Sequence, residues 1–292
     1  MRLNGRRQSS NIDDRRSSGG GRRGLLTGGG IAGVIIAAVI AWLGGGDFFS
    51  ALIGGAIDSG QFITTDSSTA YTPTQEDEEL AIFSKQILAG TEDVWTEIFR
   101  QNGLEYEAPT LVLYSGSTTS GCGQAQASTG PFYCSADQSV YIDLSFFKEM
   151  KSTLGADGDF AYAYVIAHEV GHHVQYLLGT LDKAHSLMRR QSETEANQTS
   201  VRLELQADYY AGVWAHHDNR MFNSIEPGDI EEAIDAAQKI GDDYLQKKAR
   251  GYVVPESFNH GTSAQRQRWL NKGLQTGDPS QGDTFSGSYS SL

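Results

Sequence analysis

Cysteine is nearly absent: the 292-residue chain has two, Cys122 and Cys134, in "SGCGQAQASTGPFYCSAD". The gap between them is too long for a C-x2–4-C metal knuckle, and no histidine lies nearby. If the body lies outside the cytoplasm, the natural reading is a disulfide that closes this short Gly/Ser-rich loop. Positive charge is scarce once the chain is under way. The first 24 residues carry seven arginines (Arg2, Arg6, Arg7, Arg15, Arg16, Arg22, Arg23) against Asp13 and Asp14, a net of +5; with a total of −13, the remainder carries −18. An acidic body suits phosphate backbones poorly, so no nucleic-acid partner is expected. No internal repeat is visible, and the length fits one large or two small domains.

Charge is missing altogether from Leu25 to Leu43, "LLTGGGIAGVIIAAVIAWL", 19 residues in all. At about 1.5 Å per residue a helix here would span roughly 28 Å, close to the hydrocarbon thickness of a bilayer. No small-x-small cleavage site follows, which argues against a signal peptide. Four glycines and no amphipathic period argue against a buried soluble helix. The expectation is a cytoplasmic Arg-rich leader (1–24), one transmembrane helix (25–43) and a Gly/Ser/Thr-rich tether (44–73), with Phe48 to Ile57 able to lie in the interface. By the charge rule the protein would be single-pass in the inner (plasma) membrane, with its N-terminus cytoplasmic and its body periplasmic or extracellular. The lipid bilayer is then one partner.

The remainder reads as α+β, mainly helical with a small sheet. A helix is expected from Thr74 to about Gly103, opened by Glu76, Asp77, Glu78 and Glu79 at the positive end of its dipole, with Gly90 a point where it can break. "TLVLY" (Thr110 to Tyr114) and "QSVYIDLSFF" read as strands. "GDFAYAYVIAHEVGHHVQYLLG" is apolar nearly all round, hence a buried helix ending at Gly179. After the polar "RQSETEANQTS", a second such helix runs "VRLELQADYYAGVWAHH". Capping boxes are expected at Asp229/Glu232 and Thr262/Gln265. The catalytic domain should cover 74–275, leaving 276–292 as a disordered tail.

His168, Glu169 and His172 read H-E-x-x-H. On a helix, positions i and i+4 share a face, so both imidazoles can reach one cation. Glu169, about 100° round, can address a water on that cation as a base. Two histidines leave a catalytic zinc one protein ligand short. The H-E-x-x-H-x-x-G-x-x-H extension fails, since Gln175 and Leu178 stand at its glycine and histidine positions. Glu204 and Asp208 lie four apart on a helix otherwise made of Leu, Ala, Tyr, Val and Trp, and buried carboxylates are rare unless paired or bound to a cation. Glu204 is the candidate third ligand, and Asp208 the candidate acceptor for a liganding imidazole N–H. His173 lies round from His172 and reads as a packed bystander. His216 and His217 suit a helix C-terminus; His185, in a polar segment, reads as solvent-facing.

H-E-x-x-H followed by E-x-x-x-D is the pattern of gluzincin metallopeptidases. The wording "AHEVGHHVQ", "ELQADYYAG", "GPFYCSADQSVYIDLSFF" and "SFNHGTSAQRQRWL" resembles the bacterial family of neutral zinc metallopeptidases over nearly the whole chain. The resemblance implies a zincin (gluzincin-like) fold, one Zn2+ per chain, and a peptide or protein substrate. "SFNHGTSAQR" is also similar to the T-H-P-x-x-x-x-R element of HtpX-type membrane proteases. Carried over, His260 would be an oxyanion donor and Arg266 its support, although Gly261 replaces the proline. In gluzincins the substrate lies along an edge strand before the H-E-x-x-H helix, which by order points to "QSVYIDL" with Tyr141 and Asp143. The reading is thus a membrane-anchored zinc metalloendopeptidase. Its rivals are a catalytically inactive zinc-binding adaptor or chaperone-like module, against which Glu169 speaks, and a scaffold whose histidines are only core.

Overall fold

Thr74 caps the first long helix, α1 (Gln75–Gln101), in a capping box: its hydroxyl accepts from the Asp77 N–H and the Asp77 carboxylate accepts from the Thr74 N–H. α1 does not break at Gly90. The missing Cβ there leaves room for two side chains, since a Cβ would lie 2.7 Å from Arg6 Nη2 and 2.8 Å from Asp218 Oδ1. The computed structural model describes residues 1–17 and 72–292. The expected transmembrane helix 25–43, the interfacial stretch 48–57 and most of the tether lie outside the described residues. No helix among those described is long and apolar enough to cross a membrane.

A four-stranded sheet has the order β1–β2–β6–β5, with β1 (Ile12–Asp14), β2 (Thr110–Tyr114), β5 (Phe132–Cys134) and β6 (Ser139–Asp143). β1, β2 and β6 are parallel and β5 is antiparallel to β6, with Leu111 opposite Val140 and Val140 opposite Tyr133. A small antiparallel hairpin, β3 (Ser117–Ser120) and β4 (Gly123–Gln126), stands apart. Side chains alternate across the sheet. Leu111, Leu113, Val140 and Ile142 join the helical core, while Val112, Tyr114 and Tyr141 pack with Ala125, Phe132 and Cys134 on the hairpin side. Both faces are covered, which explains why "TLVLY" and "VYI" are apolar without a break.

After β6 come α2 (Ser145–Glu149), a π-helical turn (Met150–Leu154), α3 (Asp159–Leu177), α4 (Thr180–Met188), α5 (Glu193–Phe222), α6 (Asp229–Lys239), α7 (Asp242–Arg250) and α8 (Ser263–Thr276). The polar "ETEANQTS" is not a spacer; Ser192 and Glu195 form a capping box and it becomes the first turns of the 30-residue α5. The Thr262/Gln265 box forms. The Asp229/Glu232 box does not, because both side chains are engaged elsewhere: Asp229 accepts from Glu226 N (2.8 Å), and Glu232 accepts from Phe160 N (3.1 Å), tying α6 to the start of α3.

Both ends depart from expectation. The tail 276–292 is folded against α5, whose donors satisfy its carbonyls: Gln206 Nε2 reaches Gly282 O at 2.8 Å, Tyr209 Oη reaches Asp278 O at 2.6 Å, and Leu292 is buried. At the other end, residues 1–17 are no separate leader. They supply β1 and lie across α1 and the end of α5 as a strap, with Arg6 on Asp218 and Arg7 on Asp93.

Candidate metal centre

Two close helix crossings build the site. α3 meets α5 at Gly171, where a Cβ would lie 2.9 Å from Ala207 O, so only glycine lets the backbones approach this far. Ala207 sits between Glu204 and Asp208, and the contact therefore brings both carboxylates against the H-E-x-x-H face. α5 meets α8 through Gly212 and Gly273, where a Cβ at 273 would fall 2.1 Å from Tyr209 O. That crossing delivers Arg266 to Asp208.

His168, His172 and Glu204 each present one ligand atom, all within 4.8 Å of one another. Asp208 Oδ1 accepts from His168 Nδ1 at 2.8 Å, and a carboxylate can only accept, so Nδ1 carries the hydrogen. The Nε2 lone pair then faces Glu204 Oε2 at 3.2 Å. His172 is held the same way: its Nδ1–H donates to Gln175 Oε1 at 2.9 Å, and its Nε2 faces Glu204 Oε1 at 3.3 Å. Gln175 Nε2 donates to Leu203 O at 2.7 Å, which fixes the amide's orientation. Two nitrogen acceptors and a carboxylate converging in this way require a cation or a proton between them. Two imidazoles and one carboxylate are a donor set that zinc takes in catalytic sites, so the residues fit the ion.

Around this trio lies a hydrogen-bonded shell. Arg266, 1% exposed, forks onto Asp208 with Nε at 2.9 Å from Oδ2 and Nη2 at 2.9 Å from Oδ1. Tyr164 Oη donates to the same Oδ1 at 2.6 Å. Burial would raise the Asp208 carboxyl, but Arg266 and His168 outweigh it and bring it down to about 2. Burial disfavours the charged His168, yet Asp208 and Glu204 overcome this and raise its imidazole to about 10. His172 is also raised, burial being overcome by Glu204. Glu204 is held well below the carboxylate range, its burial outweighed by His172 and His260. Glu169, 4% exposed, is pushed up by burial, which His168 and His172 only partly offset.

The trio, Glu169 and His260 line one cleft of about 110 Å3. Pro131, Phe132 and Tyr133 form one wall, Leu181 and His185 another, and Leu203 adds to the apolar lining. Cys122 and Cys134 are joined by a disulfide, with Cα atoms 5.8 Å apart, and Cys122 touches the cleft.

Several expectations need correction. Arg266 does not support His260; it binds Asp208. What holds His260 is Asp242, which no motif marks, and whose Oδ2 accepts from the N–H groups of His260 (2.8 Å) and Gly261 (2.9 Å). Gly261 has φ +96°, closed to proline, so this loop differs in shape from the T-H-P element. Tyr141 and Asp143 are not at the cleft. β6 is paired on both edges; Tyr141 Oη binds Asp137 (2.6 Å), and Asp143 caps the Gly116 (2.7 Å) and Ser145 (2.9 Å) N–H groups. His185 faces the cleft rather than solvent, because "TLDKAHSLM" is a helix burying Leu181, Ala184 and Met188. His173 points away from the trio, toward Tyr133 Oη (2.9 Å) and Glu107 O (2.6 Å).

An H-E-x-x-H helix is crossed here by one bearing E-x-x-x-D, the last carboxylate bound to the first histidine, in a group that could hold a metal ion. The chain belongs to the family described as "Putative neutral zinc metallopeptidase", whose model matches residues 1–285. Among its relatives, "Uncharacterized protein YpfJ" of Escherichia coli (strain K12) is 53% identical over 227 residues, 78% of each chain. "Uncharacterized protein Mb2605" of Mycobacterium bovis is 44% identical over 191 residues, 62% of this chain and 64% of that one. No solved structure gives a significant match. The family implies zinc and suggests a peptidase.

Proposed function

We propose that this protein is a zinc-dependent endopeptidase that binds an extended peptide along β5 and cleaves it at the His168–His172–Glu204 centre. The observation that carries the reading is Glu169: a buried carboxylate in the cleft wall beside the ligand trio, which a purely structural metal site does not need. Zn2+ held by the trio would supply Lewis acidity, lowering the pKa of a water to about 7 and polarising the scissile carbonyl. Glu169 takes the proton from the attacking water and passes it to the leaving amine. Its raised pKa brings it closer to that of the proton it handles. His260, held by Asp242, donates a hydrogen bond to the oxyanion. Asp208 and Arg266 keep His168 in its liganding tautomer.

β5 takes the substrate because it is the sheet edge that reaches the cleft, and no strand among the described residues covers its outer side. Phe132, Leu181 and Leu203 make the pocket apolar. That lining suits an aliphatic side chain next to the scissile bond. The disulfide fits a compartment outside the cytoplasm, and attachment to a bilayer through 25–43 belongs to this reading. Comparing peptide termini in cells carrying wild type and Glu169→Gln tests it. Termini present only with wild type, flanked by aliphatic residues, are expected; identical sets of termini would count against it.

A further inference from the structure

The arginines of the opening segment have partners in the body. Arg6 forks onto Asp218, a carboxylate with no exposure, with Nη2 at 2.7 Å and Nη1 at 3.2 Å. Arg7 reaches Asp93 at 2.6 Å and Glu92 at 2.9 Å. Arg16, 5% exposed, binds Asp77 O at 3.1 Å and Glu78 at 3.1 Å, and Arg2 binds Glu226 at 3.1 Å. Asn11 donates to Glu92 at 2.8 Å, while main-chain bonds run from Leu111 N to Asn11 O (2.9 Å) and from Arg15 N to Leu113 O (2.7 Å). The body is shaped for this segment, since Gly90 opens the space in which Arg6 and Asp218 meet.

We infer that residues 1–17 and 72–292 lie on the same side of any bilayer, so that 18–71 is an insertion between β1 and α1 and not the junction between a cytoplasmic leader and an exported body. A single crossing by 25–43 would put about 30 Å of hydrocarbon between groups that here touch. Arg16 Nη1 is 3.1 Å from Asp77 O, so described residues on either side of 18–71 meet on the same part of the body. The charge rule reads the arginine run as a topology signal. The structure gives the run a different use: the five arginines among the described residues are all ion-paired, four of them (Arg2, Arg6, Arg7 and Arg16) to carboxylates of the body and Arg15 to Asp13 of the strap. Bilayer attachment through 25–43 would then begin and end on one side.

Full-length protein in right-side-out and inside-out membrane vesicles tests this. The native cysteines are joined to each other, so Ser10→Cys and, separately, Glu256→Cys each add one thiol at an exposed position. A membrane-impermeant maleimide should label both variants in the same vesicle orientation, and detergent should release labelling in the other. Labelling in opposite orientations would overturn the inference. As a second readout, a short bis-maleimide should join Arg7→Cys with Asp93→Cys within one chain, since the side chains they replace meet at 2.6 Å; opposite sides of a membrane would prevent it. The surface thiols do not disturb the strap, so failure of the double variant to fold leaves the vesicle result decisive.

Discussion

His172 and His173 are neighbours on α3, both at least largely enclosed, yet they lie on two faces of the helix with opposite chemistry. On the metal face, Glu204 overcomes burial and raises the imidazole of His172. On the other face burial prevails and brings His173 down to about 4, with Tyr133 Oη and Glu107 O as partners amid Tyr106, Tyr133 and Tyr176 rings. Burial alone therefore does not decide the charge of a histidine here; whether a carboxylate faces it does. One face is built to exchange a proton for a cation, the other to fasten the strand that walls the cleft.

The largest break in that contrast should come from Glu204→Gln. It removes the one ligand that α5 supplies, and zinc affinity should fall by more than the 10–100-fold typical of losing an outer partner, measured by chelator competition, with His173 and its stability term untouched.

Next in size is the aromatic face. A folded-state pKa of about 4 lies below the ordinary 6.5, so the unfolded chain takes up the proton first as pH falls. The stability that neutral His173 contributes is full above about pH 6.5 and lost by about pH 4, a change of about 3 kcal/mol. Urea midpoints across that range should show this loss in wild type and a shallower one in His173→Phe, with zinc content unchanged. Equal pH slopes would contradict it.

A smaller effect is expected from Asp208→Asn. Zinc affinity should fall about 10–100-fold. Because Asp208 and Glu204 raise His168 to about 10, zinc must displace a proton below that pH, and wild-type affinity should climb by up to about tenfold per pH unit between pH 6 and 9. Without the Asp208 charge that slope should flatten.

The two faces also differ in how plainly they could be read beforehand. His168, His172, Glu204 and Asp208 are legible because helical spacing of four is local and a carboxylate among Leu, Ala and Tyr demands a partner. The helices themselves were legible from their caps at Thr74 and Thr262. Partners set by tertiary crossings were not. Arg266 binds Asp208 because Gly212 and Gly273 let α8 close on α5, and nothing in "GTSAQRQ" states that. Nothing in "QSVYIDL" marks β6 as an inner strand, because strand order is not written in strand composition, whereas a run buried on both faces is. Met188 and His185 sit on a nine-residue helix too short and polar to show a period. The strap is not legible because a run of arginines looks the same whether it meets lipid headgroups or carboxylates 62 to 224 residues away.

Glu169 offers the most direct test. Purified full-length wild type and Glu169→Gln should each hold one zinc per chain, and only wild type should cleave a mixed peptide library, with a loss in the variant of about 10²–10⁴-fold in kcat. Equal zinc with equal cleavage, or no zinc in wild type, would contradict it.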